Sequence, residues 1–162
     1  MAGTHSVTRG FNSVNSDIAK PWVPHQIDAV TKLVDDNFPQ AREDIGNFVI
    51  TALSPSKATV RLTIDDKFIR PGGSISGPTM FKLADISAWI AILSERGPSA
   101  IDAVTATVTI NFLARPAPTD LECKTELLRL GRRIAMAECR LYSVGQPNPV
   151  AHATCSFALP IE

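Results

Sequence analysis

Apolar side chains run nearly all the way round one stretch of this chain, residues 77–94 (GPTMFKLADISAWIAILS). Ser76 or Gly77 can cap its start, and Pro78 suits a first turn, where no N–H partner is needed. Gly97-Pro98 stops it, because Gly takes left-handed conformations cheaply and Pro cannot continue the helix. The pattern predicts one helix of about 18 residues, roughly 27 Å long at 1.5 Å per residue. A helix apolar on most sides must be covered on most sides. With Lys82 and Asp85 inside it and fewer than about 20 apolar residues, it is a poor membrane span.

The remaining pattern supplies the cover. Residues 1–23 mix Ser, Asn, Gly and Thr and read as a lead-in that docks through Phe11 or Trp22. Residues 24–162 read as a single domain. Ile27, Val30, Leu33, Val34 and Phe38 recur at spacings of three and four, predicting an amphipathic helix that Pro39 ends. Residues 48–53 and 58–64 read as two strands joined at Ser54-Pro55-Ser56-Lys57. A loop holding Arg70-Pro71-Gly72-Gly73 leads to the central helix, and its glycines permit a turn or close approach of a ligand to the backbone.

Every later element alternates with period two. Val104, Ala106, Val108, Ile110 and Phe112 mark one face of the first such strand, so this parity puts Thr105 on the other. Leu121, Cys123, Thr125 and Leu127 mark the next strand. Ala135, Ala137, Cys139 and Leu141 mark the third, and Ala151, Ala153, Cys155 and Phe157 the last. Hairpin-length connections imply antiparallel pairing. The fold class is therefore α+β: an antiparallel sheet of about six strands wrapped around one long central helix, with an extra N-terminal helix. The many alanines on the inner face let the sheet approach the helix closely.

Composition narrows the function classes. Sixteen basic residues balance sixteen acidic ones, so no overall field recruits nucleic acid or an anionic membrane. The three cysteines form no CxxC pair and sit in strand-like runs, which reads as buried thiols in a reducing compartment. The three histidines show no metal-ligand spacing. No apolar secretory region opens the chain, so a cytoplasmic protein is expected.

Asp85 is the anomaly of the central helix. A carboxylate among Leu83, Ala84, Ile86 and Trp89 must lose hydration, find a partner or do chemistry. A Lys82–Asp85 pair at i,i+3 and a backbone-bonded structural Asp are the two bland readings.

Three pieces in order resemble a known family: Ser76-Gly77-Pro78 followed by Leu83-Ala84-Asp85, residues 105–113 (TATVTINFL) followed by Arg115-Pro116-Ala117, and Gly131-Arg132-Arg133 between two strands. Over residues 45–159 the chain is similar to the hotdog-fold acyl-CoA thioesterases of the phenylacetate-pathway (PaaI-like) branch. The resemblance implies that Asp85 acts as general base or nucleophile on an acyl-CoA thioester. It also implies that a backbone N–H at the helix start, here that of Gly77, polarises the carbonyl. Thr105 matches a position that holds the attacking water in some members, usually across a subunit interface; otherwise it is a β-former on a sheet face. Arg132 and Arg133, at a hairpin tip, are candidates for the coenzyme A phosphates, the alternative being solvated turn residues; Arg70, beside the glycines, is a candidate for phosphate or for a substrate carboxylate. Ser76 takes the place of the family's turn histidine, Pro78 that of its second glycine and Arg70 roughly that of an Asn. Phe81 is a candidate acyl-pocket residue, though core or interface is the simpler reading.

Hydrolysis of an acyl-CoA thioester to acid and coenzyme A is the leading expectation, with no metal and no cofactor beyond the coenzyme A of the substrate. The expected assembly is a homodimer or a homotetramer built as a dimer of dimers. A non-catalytic acyl-CoA or lipid-binding module is the alternative, motivated by Ser76 and Pro78.

Overall fold

The computed structural model describes residues 20–161. Its elements in chain order are α1 (Ile27–Asn37), α2 (Ala41–Ile45), β1 (Phe48–Ser54), β2 (Lys57–Leu62), β3 (Ile69–Arg70), β4 (Ser74–Ile75), α3 (Gly77–Arg96), β5 (Val104–Phe112), β6 (Leu121–Leu130), β7 (Ile134–Ser143) and β8 (Ala151–Ala158). Six strands form one antiparallel sheet in the order β1-β2-β6-β7-β8-β5. The sheet curls round α3, which packs on β6, β2, β7, β8 and β5. This is the wrapped-helix arrangement expected from the pattern. The glycine loop carries more order than expected, since β3 and β4 pair as a two-residue hairpin across Gly72 and Gly73, both with positive φ. The five-residue α2 was not anticipated either.

Burial explains the wrap. Leu83, Ala84, Ala88, Ile90, Ile92 and Leu93 are all sealed from solvent, so α3 has no long water-facing side. Facing it are Ala135, Ala137, Ala151 and Ala153, equally buried, whose small side chains let the sheet close on the helix. Cys123, Cys139 and Cys155 lie on the same inner face as buried free thiols. Cys139 Sγ donates to the Ala84 carbonyl at 3.6 Å, a weak bond from sheet to helix. Burial pushes the Cys123 thiol well above its usual range, so it is a packing group and not a nucleophile.

The ends of α3 are fixed by side chains. Ser76 is the N-cap, its hydroxyl accepting from the Thr79 amide at 3.2 Å. At the other end Gly97 takes φ 59° while its amide donates to the Leu93 carbonyl. A Cβ on Gly97 would lie 2.3 Å from the Trp22 ring. Trp22 also donates its indole N–H to the Ser94 carbonyl at 3.3 Å, so the lead-in docks there; Phe11, the other expected anchor, lies outside the described residues.

Gly97→Ala therefore carries both a left-handed backbone cost and a clash with the indole. We expect a loss of at least about 1 kcal/mol in denaturant unfolding. In a Trp22→Ala background the steric part disappears, and the same substitution should cost measurably less. Equal costs in the two backgrounds would refute the Trp22 contact.

Candidate active site

Half of the candidate chemistry sits at the start of α3. The cap occupies the Thr79 amide, Met80 donates to the Ser76 carbonyl at 3.3 Å, and Pro78 has no N–H. That leaves Gly77, whose amide has no hydrogen-bond acceptor among the described residues. The Ser76 and Thr79 hydroxyls are themselves paired at 2.7 Å. A Cβ on Gly77 would stand 3.1 Å from the Phe112 ring, so the far end of β5 lies against the helix start.

The other half is Asp85. Lys82 does not pair with it, as a local i,i+3 reading allows; the lysine reaches out to Asp44 of α2 at 2.5 Å. Instead the Thr105 hydroxyl donates to Asp85 Oδ1 at 2.8 Å. This corrects the strand parity. Thr105 pairs with Phe157 of β8, and Thr107 pairs with the very next residue back, Ser156, so Ala106 is an unpaired bulge residue. The extra residue moves Thr105 to the same face as Phe157, Val108 and Ile110, which is the face turned to α3. Ala106 is exposed and is not among the inner-face alanines.

Burial raises the Asp85 carboxyl above 3.8, and the Thr105 hydrogen bond pulls against that rise. Asp85 Oδ2 has no hydrogen-bond partner among the described residues, leaving an acceptor for a water or a substrate. The carboxylate opens into a pocket of about 400 Å³ walled by Phe38, Ile86, Trp89, Ile101 and Phe157, with Asn37 and Asp102 on its lining. Asp85 and Trp89, four residues apart, share one helix face.

Several expected site residues lie elsewhere. Phe81, 40% exposed, and Arg70, on the exposed β3–β4 hairpin, do not line this pocket. Arg132 and Arg133 line a separate cavity of about 340 Å³ with Arg96, Ser99, Ala100 and Leu159. Arg96 is held there by donating to the Gly131 carbonyl at 3.1 Å. Arg96, Asn37 and Asp102 carry no signal in the sequence, where helix ends and turns give no chemical pattern, and Phe38 reads there only as an apolar position of the first helix. Trp89 gives no signal beyond its place in the apolar run of α3.

An antiparallel sheet curled round one long helix is the hotdog fold, and here that helix carries a carboxylate facing a pocket. Residues 72–150 match the model of the thioesterase superfamily. A Pseudomonas aeruginosa protein named "Putative esterase PA0474" is 32% identical over 117 residues, 72% of this chain and 85% of that one. A "putative thioesterase" from Silicibacter sp. TM1040 superposes with a TM-score of 0.76 at 36% identity, covering 83% of this chain and 92% of that chain. A "Hypothetical Thioesterase Protein" from Streptococcus pneumoniae, solved with coenzyme A, shares the fold with a TM-score of 0.69 at 19% identity, over 80% and 98% of the two chains. The phenylacetic acid degradation protein PaaI of Thermus thermophilus does so with a TM-score of 0.62 at 22%, over 74% and 97%. The chain belongs to the thioesterase superfamily.

A carboxyl held above its unfolded value binds its proton more tightly in the folded protein. Its stabilising share is complete below 3.8 and is lost as pH rises through the folded value. Asp85→Asn should therefore raise the melting temperature at neutral pH, with the gain vanishing below about pH 3.8. Thr105→Val removes the bond that favours the charged form, so a carbon-13 titration of Asp85 should show its midpoint moving further up. A midpoint that falls would contradict the assigned donor.

Proposed function

We propose that the protein hydrolyses acyl-CoA thioesters with Asp85 as the activating carboxylate. The observation that carries this reading is the Asp85–Thr105 hydrogen bond inside the pocket: it holds one carboxylate oxygen and leaves the other to take a proton from water. Water oxygen adds to the thioester carbon as its proton passes to Asp85 Oδ2. The oxyanion that forms is met by the Gly77 N–H, aided by the positive end of the α3 dipole. Collapse breaks the C–S bond, and the proton returns from Asp85 to the departing thiolate, giving acid and free thiol. Direct attack by Asp85 on the carbonyl remains the second route through the same geometry.

One chain does not complete this site. Gly77 and Asp85 are eight residues apart, a rise of about 12 Å along α3, too far for both to serve one carbonyl. The strand β5 runs beside that span, with Thr105 at Asp85 and Phe112 at Gly77, and among the described residues it is a sheet edge bonded only to β8. Antiparallel pairing of β5 with β5 of a second copy brings the Gly77 end of one beside the Asp85 end of the other. A homodimer, alone or doubled into a tetramer, is the assembly this requires.

Coenzyme A as the thiol carrier is supported by the cation-lined cavity of Arg96, Arg132 and Arg133. It is also supported by the coenzyme A in the S. pneumoniae relative. Ala100 lines that cavity and Ile101 lines the Asp85 pocket, so the two open on either side of one short link.

Thiol release from a panel of acyl-CoA thioesters tests the reading. Wild type should turn over at least one member, and Asp85→Asn should be slower by about a hundredfold or more while remaining folded and oligomeric. Binding without release by wild type, unchanged in Asp85→Asn, would make the protein a binding module instead. A single-subunit mass in solution would sink the shared site.

A further inference from the structure

One large apolar side chain on α3 escapes the enclosure. Along the first half of the helix, the residues that are not buried are Gly77, Pro78, Phe81, Lys82 and Asp85. Lys82 is taken by Asp44, and the Phe81 ring is left open. It does not stand alone. Phe112, also exposed, lies over the Gly77 end of the same helix. Val108 and Ile110, half-buried on the β5 face turned to α3, continue the strip toward Thr105. A strip of this kind, unlike a lone surface phenylalanine, calls for a cover.

Resting on the hydrolase reading and its shared site, we infer that Phe81 is a specificity-determining residue: its ring meets that of a second copy at the two-fold axis and sets the length of acyl group the site takes. The place of the axis follows from symmetry. With Gly77 of each copy beside Asp85 of the other, the axis passes the helix midway between the two, at residue 81. Gly77, Phe81 and Asp85 are spaced by four and share a face, so the ring stands between the two sites. The direction of the acyl group follows from the two cavities. From Asp85 the pocket walled by Trp89, Phe38 and Ile101 leads toward the arginine cavity, whose Arg96 lies about 16 Å further along α3. The thiol arm takes that side, with its phosphates at the arginines. The acyl group leaves the thioester carbon on the opposite side, toward the start of α3. It reaches the Phe81 ring within about 6 Å, the rise of four helical residues. Phe81, Phe112, Val108 and Ile110 border that space, so the group it suits is apolar. The substrate class is thus a short, unbranched, apolar acyl thioester, in preference to a long chain.

The test uses S-alkyl coenzyme A thioethers, ethyl to dodecyl, which cannot be hydrolysed, so it reads binding and not turnover. In wild type each added methylene should tighten binding until the chain reaches the ring, and then stop doing so. Phe81→Ala should move that break to longer chains and raise the dodecyl-to-ethyl affinity ratio about tenfold, the effect of burying roughly two more methylenes. Phe81→Cys should be joined to a second copy by a short bis-maleimide. Val49→Cys, exposed on β1, should not be joined, and the three native thiols are buried. Carbon-13 resonances of the wild-type Phe81 ring should shift with the hexyl compound and not with free coenzyme A, a reading that needs no variant. A gain that continues unbroken to dodecyl, a break that stays put in Phe81→Ala, an oligomer whose Phe81→Cys is not joined, or an unmoved ring would each overturn the assignment. Failure to bind any of the series would overturn it too. Thiol release by wild type and Asp85→Asn judges the hydrolase reading separately, and the solution mass judges the shared site.

Discussion

Everything in this fold follows from having to hide a helix that has no long water-facing side. A 20-residue segment with Leu, Ile, Ala, Met and Trp on all sides cannot lie on a sheet as an ordinary amphipathic helix does. It must be enclosed, and enclosure sets the curvature of the sheet and the row of alanines that permits close approach. The same enclosure makes Asp85 consequential. On a solvated helix face its carboxyl would titrate as in a peptide; against the sheet it loses water and binds its proton more tightly. The environment that holds the molecule together also supplies the basicity that its proposed chemistry uses.

Enclosure leaves two openings, each governed by a short irregular feature. At the start of α3 the Ser76 cap and Pro78 remove the competing amides, so one N–H is left over. In β5 a single unpaired residue rotates a hydroxyl inward onto the carboxylate. With Ser76 and Pro78 where the resemblance implies a histidine and a glycine, the helix start still keeps one donor without an acceptor among the described residues, the Gly77 amide.

Much of this was legible in the chain. The period of two in β5 to β8 and the unbroken apolar run of α3 are local signals, and the enclosed-helix architecture follows from them. Asp85 stood out because a charge in that run breaks the pattern. Its partner was not legible. The bulge at Ala106 is decided by pairing with β8, some fifty residues away in sequence, and Val, Thr and Ala suit either sheet face. The alternation of residues 104–112 thus reads as regular when it is not. Lys82 misled in the opposite sense, as a near neighbour whose actual partner lies on α2, a helix too short to show periodicity. The arginines were visible as a cluster at Gly131, but Arg96 joins them only through the fold. Trp89 reads like any core tryptophan, and only the lack of an acceptor for its indole N–H among the described residues sets it apart.

The bulge has a meaning for descent. Side chains alternate along a strand, so what aims Thr105 is that β8 skips position 106, not which residue fills it. Loss of that one codon removes only the skipped residue: Thr107 stays opposite Ser156 and Thr105 opposite Phe157, so the hydroxyl keeps its inward face. Were residue 106 instead drawn into the pairing with β8, regular alternation would carry Thr105 to the outer surface and leave Asp85 without its donor. The place is tolerant of spelling and of this one shortening, and intolerant of a lost irregularity.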